Sequence, residues 1–299
     1  MTAPLLAVDA PSMLFRAFFA LPATIVDPRG RPVNALLGTA NLVLREVEAH
    51  RPRAVALCFG PDAASYRTEL YPAYHADREA AMPDELAPQF AAARPFFEAF
   101  GWAVVASEDL EADDVLGTLA RGEEAEGGRA LLLTGDRDMF QCASERVTVL
   151  YVRTGKKGAE AVGPAEVRER YGVDPELVPD FIALRGDPSD GLPGARGVGP
   201  KTAAELLRRH GSLEAVLENA IRERRPALRG ALTEAREQLL AFKEIAALRD
   251  AGVEPPPDRE TDWDGAAAAA LQLGMKRLAA RLQALGADGQ GAGTETTSE

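Results

Sequence analysis

Carboxylates stand at the ends of apolar segments in four separate parts of the chain: "LLAVD", "EADDVL", "ALLLTGDRD" and "RGDPSDG". The acidic residues concerned are Asp9, Glu111, Asp113, Asp114, Asp136, Asp138, Asp187 and Asp190. Each one alone has an ordinary explanation, because acids cap helix N-termini and form turns. Capping does not require acids at four element ends at once, so their joint placement predicts one shared acidic site.

The chemistry of such a site follows from the mutual repulsion of its members. Two like charges about 4 Å apart repel by roughly 4 kcal/mol at the effective dielectric of a protein surface. A cluster of this kind must therefore become protonated, spread apart or bind cations. An all-carboxylate set favours hard divalent ions, Mg²⁺ or Mn²⁺, and two such ions would suit the displacement of an oxygen at phosphorus.

The elements that must bring these acids together are strands alternating with helices. Short apolar runs such as "LLAVD", "AVALCF" and "ALLLT" are separated by longer amphipathic stretches. This alternation predicts an α/β fold with a parallel, doubly wound sheet over residues 1–163, which binds ligands at the carboxyl ends of its strands. Residues 164–284 predict a helical lobe, and the small polar residues of 285–299 predict a disordered tail.

A glycine-rich segment, "GLPGARGVGPKTAAELL", lies directly before a predicted helix. No strand precedes it and a proline separates glycine from lysine, which disfavours a Walker A loop or a dinucleotide fingerprint. It predicts a helix-hairpin-helix type of turn that binds a nucleic-acid backbone through Gly197, Gly199, Lys201 and Thr202. A plain loop would explain one of its glycines but not all of them.

Aromatic and basic side chains are interleaved in "SYRTELYPAYHADR", which includes Tyr74, His75 and Arg78. This mixture suits a single strand whose bases stack while its phosphates are neutralised. A half-buried amphipathic helix with its arginines outside explains the segment equally well. Arg16, close behind Asp9, is a further candidate phosphate contact, or a surface ion-pair partner.

Composition limits the remaining possibilities. The net charge of −12 argues against nucleic acid on average, although acids gathered around cations can coexist with a locally basic face. No apolar run is long enough for a bilayer, and no secretory leader is recognisable, so we expect a soluble, cytoplasmic protein. With only two cysteines, reduced thiols are expected rather than a disulfide framework. A monomer is expected.

Taken in order, these motifs resemble the 5′ nuclease family, which includes the 5′-to-3′ exonuclease domain of bacterial DNA polymerase I and the flap endonucleases. The motifs that support this resemblance are "VDA", "GRPVNALLG", "SYR", "AYHADR", "MPDEL", "EADDVL", "TGDRD", "GDPSDGLPG" and "GVGPKTA". The resemblance implies a PIN-like sheet, a helical arch at about 65–95 and a helix-three-turn-helix lobe. It implies cleavage of DNA at 5′ ends, nicks and flaps, including 5′ ends that contain RNA, by a stand-alone member.

The resemblance also implies roles for individual residues. Asp9, Glu111 and Asp113 would hold a first divalent ion. Asp136, Asp138, Asp187 and Asp190 would hold a second, with Asp114 close by. Arg78 would contact the scissile phosphate, with His75 beside it and Tyr74 at the base of the arch. Ser189 and the carbonyl of Val198 would bind K⁺ in the helix-three-turn-helix turn.

The sequence departs from the family pattern at three positions. Gly60 stands where the family has an Asp after the second strand, although Asp62 lies close enough to replace it. His75 stands where the family has a Lys, and Gly191 where it has an Asn. The first two departures predict a weakened first metal site, a Mn²⁺ preference or, as the alternative, an inactive DNA-binding paralogue. A small acidic ribonuclease of the PIN type would not need the glycine-rich lobe.

Overall fold

The computed structural model describes residues 3–76, 82–153 and 158–292. A six-stranded sheet forms the centre, with the spatial order β3-β2-β1-β4-β5-β6. Strands β1 to β5 are parallel, and β6 runs antiparallel to β5 at one edge. The strands are β1 Leu5–Asp9, β2 Ala54–Phe59, β3 Ala103–Ala106, β4 Ala130–Thr134, β5 Val147–Val152 and β6 Ala159–Val162. The α/β fold class with a parallel, doubly wound sheet is confirmed.

Helices cover both faces of this sheet and form a lobe beyond it. They are α1 Ala10–Ala20, α2 Asn34–His50, α3 Ser65–Leu70, α4 Ala87–Glu98, α5 Ala112–Ala125, α6 Pro164–Tyr171, α7 Val178–Arg185, α8 Pro200–His210, α9 Leu213–Glu218, α10 Pro226–Glu234, α11 Arg236–Ala246, α12 Trp263–Gln272 and α13 Lys276–Ala292. Short 3₁₀ turns lie at Asp138–Cys142, Pro175–Leu177 and Ala220–Arg222.

Alternation along β1 divides the core into two layers. Leu5 and Ala7 face a layer that includes side chains of α5, α7, α8 and α11, whereas Leu6 and Val8 face one built with α1, α2, α4, α12 and α13. Successive side chains of a strand point to opposite faces of the sheet. Because every residue of β1 is buried on one face or the other, this strand is held rigidly at the centre, and Asp9 ends it.

The last two helices do not belong to the helical lobe, contrary to the predicted boundary of 164–284. Side chains of α12 and α13 pack in the core layer that contains Phe97, Phe100 and Trp102. The indole Nε1 of Trp102 donates to Thr261 Oγ1 at 3.0 Å, which fixes the returning segment before α12. An apolar helical period alone cannot show which core a helix will join.

The predicted disordered tail also begins too early. Helix α13 continues through residues 285–292, and residues 293–299 lie outside the described part of the chain. A Cβ at Gly286 would lie 2.8 Å from Cβ of Trp263, so this glycine permits close packing of α13 on α12. A glycine of the segment predicted to be disordered is therefore a helix contact in the fold.

The predicted arch, 65–95, is described only in part. It begins with α3, and residues 77–81 lie outside the described residues. Its predicted end overlaps α4, which is packed on the sheet: Gln89 Nε2 donates to Asn34 Oδ1 at 3.0 Å, and Gln89 Oε1 accepts from the N–H of Ala35 at 2.8 Å. From Ala87 onward, the chain therefore belongs to the packed core.

Candidate active site

The carboxyl ends of the central strands open into a cavity of about 1380 Å³. Five of the predicted acids line it: Asp9, Glu111, Asp113, Asp136 and Asp187. A small adjoining cavity is lined by Asp138 and Asp190 together with Glu111, Asp113 and Asp136. The fold thus brings seven of the eight predicted acids to one place, from β1, α5, β4 and the loop after α7.

Asp9 is held at the end of β1 by both of its oxygens. Its Oδ1 accepts from the N–H of Ser12 at 3.0 Å and so caps α1, while its Oδ2 accepts from Thr134 Oγ1 at 2.8 Å. Thr134 ends the neighbouring strand β4. Helix α1 and strand β4 therefore fix this carboxylate jointly.

The loop after β4 presents Asp136 and Asp138. The N–H of Asp136 donates to Thr134 Oγ1 at 3.0 Å, and the N–H of Asp138 donates to Asp136 Oδ1 at 2.8 Å. Gly135, between strand and acids, lies under the guanidinium of Arg16, where a Cβ would collide with it. Arg16 Nη2 donates to Gly135 O at 2.9 Å. The predicted phosphate contact thus lies directly at the acidic loop.

The loop after α7 carries Asp187 and Asp190 in a tight turn closed by a bridge between Asp187 and Leu192. Asp187 pairs with Arg185 at 3.1 Å and accepts from the N–H of Ser189 at 2.8 Å. Ser189 Oγ also donates to Asp187 and lines the large cavity. The potassium site predicted at Ser189 and Val198 remains a prediction.

Asp114 does not line either cavity, contrary to its prediction as a metal-site residue. It is fully buried, and its oxygens accept from the N–H groups of Glu111 and Arg249 and from the guanidinium of Arg67. A capping box with Glu111 begins α5. Helix capping and an internal ion pair therefore account for this acid.

Arg67, a cation of the segment "SYRTELYPAYHADR", lies inside the protein instead of facing a nucleic-acid strand. Its Nη1 lies 2.8 Å from Glu111 Oε1 and 3.0 Å from Asp114 Oδ2, and only 2 % of the residue is exposed. Tyr74, predicted as a DNA contact, is also buried, and its hydroxyl donates to Glu111 Oε2 at 3.1 Å. The base of the arch therefore serves as an internal support for Glu111. The mixture of aromatics and cations in the sequence could not show which way these side chains point.

His75 is also buried and adopts a left-handed φ of 56°. Its ring stacks on Tyr74 with centroids 3.9 Å apart, and its Nε2 lies 3.2 Å from Asp190 Oδ1. Gly191 lets the backbone come close, because a Cβ there would lie 2.8 Å from Ala73 O. His75 thus joins the arch base to the acid cluster, and Arg78 lies outside the described residues.

Contacts and pKa values divide the acids into two groups. Glu111 and Asp114 share the guanidinium of Arg67, Asp187 pairs with Arg185, and Asp190 has a hydrogen-bond partner in His75. In the second group, pKa values are raised above the ordinary range, and burial is the main cause. This group is Asp9, Asp113, Asp136 and Asp138, with the pKa of Asp136 at about 6. Neighbouring carboxylates add to the rise at Asp113, Asp136 and Asp138. The second group is where added positive charge would stabilise the protein most.

We expect this repulsion to be visible in the pH dependence of stability. A carboxyl whose pKa is higher in the folded than in the unfolded chain favours folding while protonated, and that contribution is lost as pH rises through the folded pKa. For Asp136 the window runs from 3.8 to about 6. Thermal melts in EDTA should therefore show Asp136→Asn gaining stability relative to the wild type as pH rises through this window. A constant difference between the two proteins from pH 4 to pH 8 would contradict the expectation.

The acidic side chains of the site are of the type that binds divalent ions, but they do not surround a common point. Within the described residues, no group of three or more His, Cys, Asp or Glu side chains is placed to hold a metal ion. Oxygen ligands and uncompensated charge fit Mg²⁺ or Mn²⁺. Binding would require the side chains to turn towards a common point.

Gly60 is part of the cavity wall, and its place has no room for a side chain. A Cβ there would lie 2.7 Å from the backbone N of Ala112 and 2.7 Å from the carbonyl C of Glu111, and nearer still to Leu110 O. Asp62 is exposed and lines the cavity. The backbone at the start of α5 occupies the space that an acid at position 60 would need.

Basic and aromatic side chains complete the large cavity. Arg16, Arg137 and Arg185 lie among its lining residues, as do Phe15, Phe19 and Phe90. Phe19 is 72 % exposed, which is high for so large an apolar side chain. The cavity therefore combines acids, cations able to contact phosphate and an apolar wall able to contact bases.

The predicted nucleic-acid turn lies at the start of α8. Gly199 precedes Pro200 without a side-chain cap, Gly197 has a φ of 76°, and a Cβ at either glycine would meet open space. Lys201 is exposed and Thr202 half-buried in the first turn, while Val198 is buried beneath it. Backbone N–H groups at such a helix start are free to bind an anion.

The sheet, the acids at its strand ends and the helical lobe together define an α/β protein of PIN-like architecture. Models of the 5'-3' exonuclease family match the chain over its N-terminal resolvase-like domain, residues 4–172, and its C-terminal SAM fold, residues 173–260. The chain belongs to the 5'-3' exonuclease family.

Curated relatives agree with this assignment. A protein named 5'-3' exonuclease from Mycobacterium tuberculosis is 41 % identical over 239 residues, covering 74 % of each chain. DNA polymerase I of Mycobacterium bovis is 39 % identical over 268 residues, which are 87 % of this chain and 29 % of the polymerase. The chain thus spans less than a third of the length of the polymerases it matches.

Solved structures support the fold. The bacteriophage T5 D15 flap endonuclease, in a complex with DNA and metal ions, aligns with a TM-score of 0.69 at 16 % identity, covering 94 % of this chain and 98 % of that one. The catalytic core of Rad2 with a DNA substrate aligns with a TM-score of 0.62 at 15 % identity, covering 94 % and 93 %. Across the described residues, no helix is both long and apolar enough to cross a bilayer.

Proposed function

We propose that the chain is a divalent-metal-dependent 5′-to-3′ exonuclease and 5′-flap endonuclease that hydrolyses phosphodiesters in DNA. The observation that carries this proposal is the group of four buried acids with raised pKa values, Asp9, Asp113, Asp136 and Asp138, beside a cavity that also contains arginines. These acids would hold Mg²⁺ or Mn²⁺, with Asp187 and Asp190 as further ligands. When bound, such ions activate water and stabilise the leaving oxygen.

The remaining side chains of the cavity position the substrate. Arg16 and Arg185 lie beside the acids and would contact a phosphate held there. Phe15 and Phe19, on the same helix, offer a surface for the terminal bases. The start of α8 would hold the phosphate backbone of the duplex without reading its sequence. The DNA-bound T5 and Rad2 neighbours support a DNA substrate.

The test is cleavage of a 5′-labelled flap duplex with Mg²⁺ or Mn²⁺, read from product lengths. Short products and flap-length products would separate exonuclease from endonuclease cleavage, and a substrate with RNA at the 5′ end would measure sugar preference. Absence of cleavage with either ion at millimolar concentration would refute the enzymatic function. The chain would then be the inactive DNA-binding paralogue, which the crowded position of Gly60 favours as the second candidate.

Duplex binding should depend on the lysine at the start of α8. We expect Lys201→Ala to weaken duplex binding by about tenfold and to reduce the salt dependence by about one ion, because it removes one phosphate contact. Lys276→Ala is the matched control, since Lys276 is likewise exposed in the first turn of a helix. Equal affinities of the two variants in a fluorescence anisotropy titration would exclude the start of α8 as the duplex contact.

A further inference from the structure

One buried cation stands inside the acid cluster. Besides its ion pairs with Glu111 and Asp114, Arg67 donates from Nη2 to Asp114 Oδ1 at 3.0 Å and from Nε to Ile245 O at 3.0 Å. Burial alone would lower the pKa of Arg67, but Glu111 and Asp114 raise it above its ordinary value. The guanidinium is therefore a permanent positive charge, fixed between α3, α5 and α11.

The protein occupies both oxygens of each partner acid. Glu111 Oε1 accepts from the N–H of Ala64 at 2.8 Å in addition to its ion pair, and Oε2 accepts from Tyr74. Asp114 Oδ1 accepts from the N–H of Arg249 at 2.8 Å, and Oδ2 accepts from the N–H of Glu111 at 3.2 Å. A divalent ion at either acid would have to break these contacts and approach a guanidinium of like charge.

The wall on the other side of Glu111 is closed as well. Backbone atoms of Leu110, Glu111 and Ala112 crowd the position of Gly60. An additional acid therefore cannot enter from β2 without moving the start of α5. The end of the cluster near Glu111 therefore has a cation already, and position 60 has no room for a further acid.

We propose that Arg67 is a built-in cation that pairs permanently with Glu111 and Asp114, so that divalent ions bind at the other carboxylates of the cluster and not at these two. This inference rests on the proposed function, since it specifies which acids of that site bind metal. Arg67 is a positioning residue: it holds Glu111 and the start of α5 in place, and does not touch the substrate. A protein cation thus stands at the end of the cluster where a first metal ion was predicted.

The test counts Mn²⁺ ions by calorimetry and by the electron paramagnetic resonance signal of free Mn²⁺. We expect Arg67→Met to bind at least one more Mn²⁺ per chain than the wild type, and to gain more in Tm when Mn²⁺ is added. Arg67→Lys keeps the charge and should have the wild-type stoichiometry. Equal stoichiometry and equal Mn²⁺-induced Tm shifts in Arg67→Met and the wild type would overturn the proposal.

A second variant keeps the test decisive if Arg67→Met does not fold. Glu111→Gln retains an oxygen that can accept from Tyr74, so we expect its Mn²⁺ affinity to stay within about twofold of the wild type, whereas Asp113→Asn should lose at least about tenfold. Equal losses in both variants would show that Glu111 is a ligand and overturn the proposal. A wild type without Mn²⁺ affinity would refute the proposed metal dependence, and gain of Mn²⁺ binding in Arg67→Met would still support the role of Arg67.

Discussion

Asp136→Asn should abolish cleavage while leaving a folded protein that still binds duplex DNA. Asp136 faces both cavities and lies beside Asp138 at the end of β4, so its charge is central to any divalent ion held there. We expect the cleavage rate to fall by at least about 10³-fold, equivalent to roughly 4 kcal/mol of barrier. The amide oxygen of Asn can still accept from the N–H of Asp138, which preserves the loop.

The same substitution should raise the Tm of the metal-free protein at pH 7, because it removes an unfavourable buried carboxylate. Burial and the neighbouring Asp190 raise the pKa of this carboxyl to about 6. Single-turnover cleavage, thermal melts in EDTA and duplex anisotropy measure the three properties separately. Asp264→Asn, an exposed acid in the first turn of α12, is the control and should change none of them. Cleavage by Asp136→Asn at the wild-type rate would show that the acid cluster is not the catalytic site.

The sequence was sufficient for those parts of the site that depend on strand ends. Asp9 and Asp136 follow buried apolar runs, and parallel pairing of β1 with β4 brings such ends to one edge. The start of α8 was also predictable, because a proline directly after glycines favours the first turn of a helix. These features are local in sequence, and the parallel arrangement of the strands brings the strand ends together.

Contacts between distant segments could not be predicted in this way. Arg67 meets acids 44 and 47 residues later, and a buried arginine has the same sequence signature as an exposed one. The crowding at Gly60 depends on the backbone positions at the start of α5, which lie far away in the sequence. The return of α12 to the sheet depends on packing around Trp102, which an apolar helix period does not specify.

Gly60→Asp, the substitution that would reproduce the family pattern, should destabilise the protein instead of restoring a metal ligand. Its Cβ would meet backbone atoms of Leu110, Glu111 and Ala112, and backbone at a helix start cannot turn aside as a flexible side chain can. A new carboxylate would also be added to a cluster that already repels. We expect a loss of roughly 3 kcal/mol or more in the free energy of unfolding, and no gain in Mn²⁺ affinity.

Gly60→Ala separates the steric part of this effect from the electrostatic part. It adds only the Cβ, so it should account for most of the loss measured by denaturant unfolding in EDTA. Gly199→Ala, where a Cβ would meet open space at an ordinary φ of −92°, controls for the general effect of replacing glycine. If Gly60→Ala were tolerated and Gly60→Asp bound Mn²⁺ more tightly than the wild type, the start of α5 would have to be mobile enough to admit a ligand from β2. In that case the missing acid alone, and not a closely packed backbone at position 60, would distinguish this site from the family pattern.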